Sequence, residues 1–260
     1  KSRTFSLASF LLPRARAEAI FRLYYVCRTL DDWADEGQEY KLRDAMACWT
    51  EHKPHPLLDH YRFLQARWGL ASLPMTELMA AMIQEQNGVA MKTESELLAY
   101  CHGVAGTIGL MTCPIFGVTD KKALKHADDL GIAMQLTNIC RDVFEDAKNG
   151  RIYLPAEYFE SPPSPSDILQ NNSNTDLNEI TSIKNRILME ADRRYTSGEQ
   201  GIRYLPWRMR IVVRWAGRMY REIGELIQNN PELYHDKRAV VGGLKKLGIL
   251  MPCLIKSIFN

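Results

Sequence analysis

Long apolar runs are scarce in this 260-residue sequence. None approaches the ~18 residues that span a bilayer, so the expectation is a chain that does not cross a membrane. The opening Lys1-Ser2-Arg3-Thr4-Phe5 has no hydrophobic signal segment. That points to a cytoplasmic protein, with peripheral membrane contact left open. Charge of one sign is also scarce: 33 Lys and Arg face 31 Asp and Glu, a formal net charge of +2. Such balance excludes a nucleic-acid coat and predicts no nucleic-acid partner. Cys27, Cys48, Cys101, Cys113, Cys140 and Cys253 include no C-x-x-C pair, and their neighbours are mostly apolar. They read as buried reduced thiols, not as a disulfide frame or zinc site. No stretch alternates with period two for long enough to demand a sheet, and there is no repeat of fixed period. A G-x-G-x-x-G nucleotide loop and a Ser/His/Asp triad are missing as well.

What remains is apolar mass in helical order. At 46% apolar content the chain can bury a real core, which rules out a disordered chain or a small stapled scaffold. From Arg14 to Trp33, Ala17, Ile20, Phe21, Tyr24, Cys27 and Leu30 recur at steps that place them on one helix face. Further helices are expected at Leu42–Trp49, Met75–Ile83, Glu94–Phe116, Lys121–Asp146, Asn178–Gly201 and Pro206–Gln228. Pro54, Pro56 and Pro74 read as punctuation, and Pro114 as a kink or stop. Ser161–Asn178, rich in Pro, Asn and Ser, reads as a loop. The final segment from Asp236 is expected to break at Pro252. The prediction is one all-α domain over residues 1–260.

Two acidic sets stand out. Asp31 and Asp35 lie at i and i+4 behind Arg28; Asp142 and Asp146 repeat that spacing behind Arg141, with Gln135 and Asn138 on the same face. Like charges one turn apart destabilise a bare helix, and Mg²⁺, which favours carboxylate oxygens, would relieve them. Either set alone reads equally as a solvated acidic face. Together, with arginine beside each, they describe a carboxylate–Mg²⁺–diphosphate clamp. A third stretch, from Tyr100 to Gly109, is rich in small residues. It reads either as tight helix packing or as the wall of an apolar cavity between helices. Asp32, Glu36 and Glu145 read as surface charges.

The residues that carry these features resemble the squalene/phytoene synthase family of head-to-head prenyl synthases. The resemblance runs through Ser2-Arg3-Thr4-Phe5, Tyr24–Arg28, Asp31–Asp35, Tyr100–Gly109, Leu136–Asp146 and Gly150–Pro155. It implies an isoprenoid synthase helical bundle around a central apolar cavity. It places Asp31, Asp35, Asn138, Asp142 and Asp146 at Mg²⁺, with Mn²⁺ as a substitute. Ser2, Arg3, Arg28, Gln135, Arg141 and Arg238 are implied to hold diphosphate or substrate. Tyr24, Tyr100 and Tyr153 are implied to lie near the reacting carbons, and Phe5, Val104, Ala105 and Ile108 to line the chain cavity. The implied reaction joins two prenyl diphosphates, foremost two geranylgeranyl diphosphates, to phytoene through a cyclopropyl diphosphate. Squalene, dehydrosqualene or presqualene diphosphate from farnesyl diphosphate is the alternative, with NADPH needed only for squalene. A non-catalytic lipid-binding relative, a head-to-tail prenyltransferase and a terpene cyclase are the rivals. Phe144 stands where many members have Gly, so it either reshapes the cavity or faces outward. Gly242–Phe259, with Lys245, Lys246 and Lys256 among apolar residues, reads as a terminal helix packed on the bundle or as a membrane-docking surface. Oligomeric state is not legible.

Overall fold

In a computed structural model, residues 12–86, 88–170, 177–234 and 237–259 are described; Ser2, Arg3 and Phe5 lie outside them. The described residues form helices α1 (Arg14–Asp35), α2 (Glu39–Thr50), α3 (Pro56–Trp68), α4 (Leu73–Gln86) and α5 (Glu94–Cys101). A π-helical segment, His102–Gly106, leads into α6 (Thr107–Ile115). Then come α7 (Lys121–Lys148), α8 (Pro165–Gln170), α9 (Leu177–Gly201), α10 (Trp207–Asn229) and α11 (Gly243–Phe259). The extended backbone contributes one isolated bridge, Ala90 with Ile152.

The expected helices are present, and the differences have local causes. Pro56 does not interrupt the chain. It opens α3 at a position where its missing N–H has no helical partner to lose, while the His55 ring accepts from the Leu58 N–H. Within the expected Pro-rich loop, Ser164 and Asp167 cap each other, Ser164 N–H donating to Asp167 at 2.8 Å and Asp167 N–H to Ser164 Oγ at 3.3 Å. This capping box starts α8. Pro252 does not break the last helix either. α11 is tied to α10 on both sides of it: Trp215 Nε1 donates to the Lys246 carbonyl (3.2 Å), and Arg214 donates to Ser257 (2.5 Å). The segment is a terminal helix packed on the bundle.

Two apolar cores flank a cavity of about 820 Å³. One gathers α1–α4 with Met111 and Ile115 of α6. The other gathers residues of α5, α7, α9 and α10 with Tyr153, Leu154 and Phe159. Members of both border the cavity. Five cysteines are buried, Cys48 is half-buried, and none of the six is in a disulfide. Burial pushes the thiols of Cys27, Cys113 and Cys140 up to about 12, which keeps them unreactive.

Glu94–Ile115 forms one 22-residue helical stretch, long and apolar enough to cross a bilayer by length and composition. Counting unbroken apolar runs passes over it. Its apolar character has an internal use, because it runs between α4 and α7 and walls the cavity. Small residues set how closely it packs. A Cβ on Gly131 of α7 would lie 2.4 Å from the Ala105 carbonyl oxygen, and one on Gly109 would lie 2.5 Å from that of Ala127. The Tyr100–Gly109 stretch therefore fulfils both readings, Gly103 against α4, Gly106 and Gly109 against α7, and Val104, Ala105 and Ile108 toward the cavity.

Gly131→Ala supplies a test. In an unpacked helix this change stabilises by about 1 kcal/mol. Here the new methyl meets backbone, so the expected outcome is the opposite sign, a loss of about 1–3 kcal/mol in chemical denaturation.

Candidate active site

The periodicity of α1 and α7 aims one face of each helix at the same cavity. From α1 come Tyr24, Arg28, Asp31 and Asp35; from α7 come Gln135, Asn138, Arg141, Asp142 and Asp146. Tyr100, Val104, Ala105 and Ile108 from the α5–α6 stretch join them, as do Tyr153 and Arg238. Every expected site residue within the described region thus lines one space. Phe144 does not; it packs against the second core, so the place between the aspartates leaves the cavity shape untouched.

The carboxylates are in different states. Asp142 is saturated: Arg141 grips it with Nε at 2.9 Å and Nη2 at 2.5 Å, and Arg238 adds Nε at 3.0 Å. Arg28 spans Asp31 and Asp32, each at 2.7 Å. Burial, then the neighbouring Asp35, raises Asp31 to about 6, against the pull of Arg28. Burial, then Asp142, raises Asp146 to about 7, with Arg151 opposing. Among the described residues no three His, Cys, Asp or Glu side chains already converge as a metal cage. The donors nonetheless suit a hard cation. They are all oxygens, two carboxyls are short of positive charge, and the buried Asn138 Oδ1 in the cavity wall has no hydrogen-bond partner.

Sequence reasoning missed Glu85. Its side chain, 8% exposed, accepts from Tyr153 Oη at 2.5 Å and Tyr100 Oη at 3.1 Å, and pairs with Arg151 at 3.0 Å. Arg151 also reaches Asp35 at 3.5 Å, which links this group to the first aspartate pair. The two tyrosine rings stack, centroids 5.0 Å apart. Burial and then Glu85 raise both phenols, so they remain neutral donors. Local backbone makes this possible. Gly150 turns the chain out of α7 at φ 74°, and Ala156 N–H bonds the Met91 carbonyl at 2.8 Å, docking residues 151–158 beside the start of α5. A signal for Glu85 was present: Leu78, Met82 and Glu85 fall at steps of four and three, a carboxylate in the apolar stripe of α4.

The family model for squalene/phytoene synthase matches residues 1–245. Phytoene synthase 1, chloroplastic, of Zea mays is 32% identical over 282 residues, covering 98% of this chain and 68% of that protein. The 15-cis-phytoene synthase of Synechococcus elongatus is 33% identical, covering 98% and 89%. In fold, the chain is similar to a ligand-bound dehydrosqualene synthase (TM-score 0.85, 23% identity, 100% of this chain and 93% of that one). A squalene synthase from Alicyclobacillus acidocaldarius is similar at TM-score 0.71, with 22% identity and coverage of 88% and 89%.

The raised carboxyls set a pH dependence. Asp31 and Asp146 hold protons to higher pH folded than unfolded, where the value is 3.8. The folded state therefore binds more protons between pH 3.8 and about 7, and their contribution to stability falls as pH rises through that window. In metal-free protein, Asp146→Asn is expected to raise Tm at pH 8 relative to wild type and to leave it nearly unchanged at pH 4. Thermal melts in a chelator check this.

Proposed function

The chain belongs to the squalene/phytoene synthase family of head-to-head prenyltransferases, and from that premise we propose that it condenses two geranylgeranyl diphosphates to phytoene. The observation that carries this reading is the cavity itself: two i, i+4 aspartate pairs from two helices end in one apolar-walled space of about 820 Å³. The names of the curated relatives support the C20 substrate. The resemblance to dehydrosqualene and squalene synthase structures, below 25% identity, bears on the fold alone.

Asp31, Asp35, Asn138, Asp142 and Asp146 would hold Mg²⁺. Bound there, the ion would withdraw charge from a diphosphate leaving group. Arg28, Arg141 and Arg238 are paired to carboxylates in the free site and exchange those partners for diphosphate oxygens, with Gln135 beside them. Their charge is matched before and after substrate arrives, so no bare charge is left in the wall. Val104, Ala105 and Ile108 hold the prenyl chains and keep water from the allylic cation formed when diphosphate leaves. The second chain attacks that cation, and proton loss closes the cyclopropyl diphosphate. A second ionisation, rearrangement and proton loss give the triene. The faces of Tyr24, Tyr100 and Tyr153 stabilise passing positive charge.

Purified protein with Mg²⁺ and a single prenyl diphosphate, with and without NADPH, tests this. Geranylgeranyl diphosphate is expected to give a C40 triene without NADPH. A C30 product from farnesyl diphosphate alone corrects the chain length, and a cyclic or singly elongated product overturns the head-to-head reading. Asp142→Ala is expected to lower turnover by about 10²-fold or more, as loss of an electrostatic stabiliser does. Unchanged turnover in that variant excludes the clamp.

A further inference from the structure

Glu85 is a carboxylate of the cavity wall that the metal and diphosphate groups leave unused. We propose that Glu85 is a positioning residue for proton removal: it holds the Tyr100 and Tyr153 hydroxyls as donors, and takes up the proton that a tyrosine relays from the substrate. This inference rests on the proposed condensation.

Three observations carry it. First, each carboxylate oxygen accepts from a different phenol, Oε1 from Tyr153 at 2.5 Å and Oε2 from Tyr100 at 3.1 Å. Each phenol proton is thereby turned toward Glu85, and the remaining lone pairs of each oxygen are left for another donor. Second, both phenols line the cavity, Tyr100 half-buried beside Val104 and Ala105, Tyr153 6% exposed and stacked on it. Tyr100 is the more open of the two to a hydrocarbon. Third, Arg151 at 3.0 Å supplies a positive partner to Glu85 in a nearly buried setting.

The reaction has two steps that lose a proton from carbon, cyclopropane closure and triene formation. In each, the C–H bond breaks and its electron pair forms the new C–C or C=C bond. The proton goes to Tyr100 Oη as the phenol's own proton passes to Glu85. Tyrosine is neutral before and after, and Glu85 ends as the carboxylic acid. Release of that proton with the diphosphate product resets the site. Without an acceptor the cation persists and is captured by residual water or returns to diphosphate.

The test uses the full chain with Glu85→Gln and Glu85→Asp. Diphosphate release and hydrocarbon formation are followed together from geranylgeranyl diphosphate and Mg²⁺. In Glu85→Gln, hydrocarbon formation is expected to fall by about 10²-fold, the scale of a lost proton-transfer group. Diphosphate release should fall far less, KM should stay close to wild type, and prenyl alcohols should appear. Glu85→Asp, which keeps a carboxylate, should recover part of the hydrocarbon. If hydrocarbon and diphosphate release fall in parallel, or neither changes, the proposal is wrong. Should Glu85→Gln not fold by thermal melt, Tyr100→Phe must show the same split. Failure of the wild type to consume any prenyl diphosphate counts against the condensation itself, not against Glu85.

Discussion

Carboxylates brought together at the edge of an apolar space are the constraint on which this site depends. Asp31 with Asp35, and Asp142 with Asp146, are each one helical turn apart, and Glu85 adds a fifth negative group within their field. A folded chain tolerates such a set only if cations sit among the charges or if some carboxyls stay protonated. Both occur here. Arg28, Arg141, Arg238 and Arg151 take part of the charge. Asp31 and Asp146, raised by burial and then by a neighbouring aspartate, hold their protons toward neutrality. Stability given up at this spot is what a site that captures a cation and an anion together would show.

The arginines carry a second consequence. Asp142 has two guanidiniums on it, so it cannot meet a new cation without releasing one of them. Ligand entry at this site is an exchange of partners and not a simple filling of space. In the proposed reaction the incoming diphosphate accepts the arginines that the aspartate gives up, and the cation takes the carboxylate. The two binding events then favour each other, because each supplies the partner that the other frees.

Spacing within a helix was legible in the sequence; contact between distant segments was not. The two aspartate pairs, with Arg28, Asn138 and Arg141, could be read because each set lies within one helix and i, i+4 geometry is local. That both sets meet in one cavity rested on the family resemblance, and so did the places of Tyr24 and Tyr153. Glu85 went unread because its partners stand 15, 66 and 68 residues later in the chain, and no local pattern joins them. The prolines were misjudged for the converse reason. Pro56 and Pro165 start helices through their immediate neighbours, His55 and the Ser164–Asp167 box, while Pro252 is carried by contacts between α10 and α11. Ser2, Arg3 and Phe5 still rest on resemblance alone.

A cavity this large must be kept from collapsing, since apolar walls gain by closing on one another. The π-helical segment His102–Gly106 is where the structure resists. Its wider turn, at the middle of the α5–α6 stretch, directs Val104 and Ala105 to the cavity while Gly103 and Gly106 face the neighbouring helices. His102 pins it from two sides, with Nδ1 at 2.6 Å from Asp128 of α7 and Nε2 at 3.4 Å from Glu77 of α4. Burial opposes a charged ring, but the two carboxylates outweigh it and hold the imidazole above its ordinary value. Gly106 makes the link possible, because a Cβ there would lie 1.9 Å from the Asp128 oxygen. One charged crossbrace thus fixes the spacing of α4, the π segment and α7, the helices that carry Glu85, the cavity wall and the second aspartate pair. Polar contacts outside the cavity hold its shape, which leaves the inner wall free to be apolar.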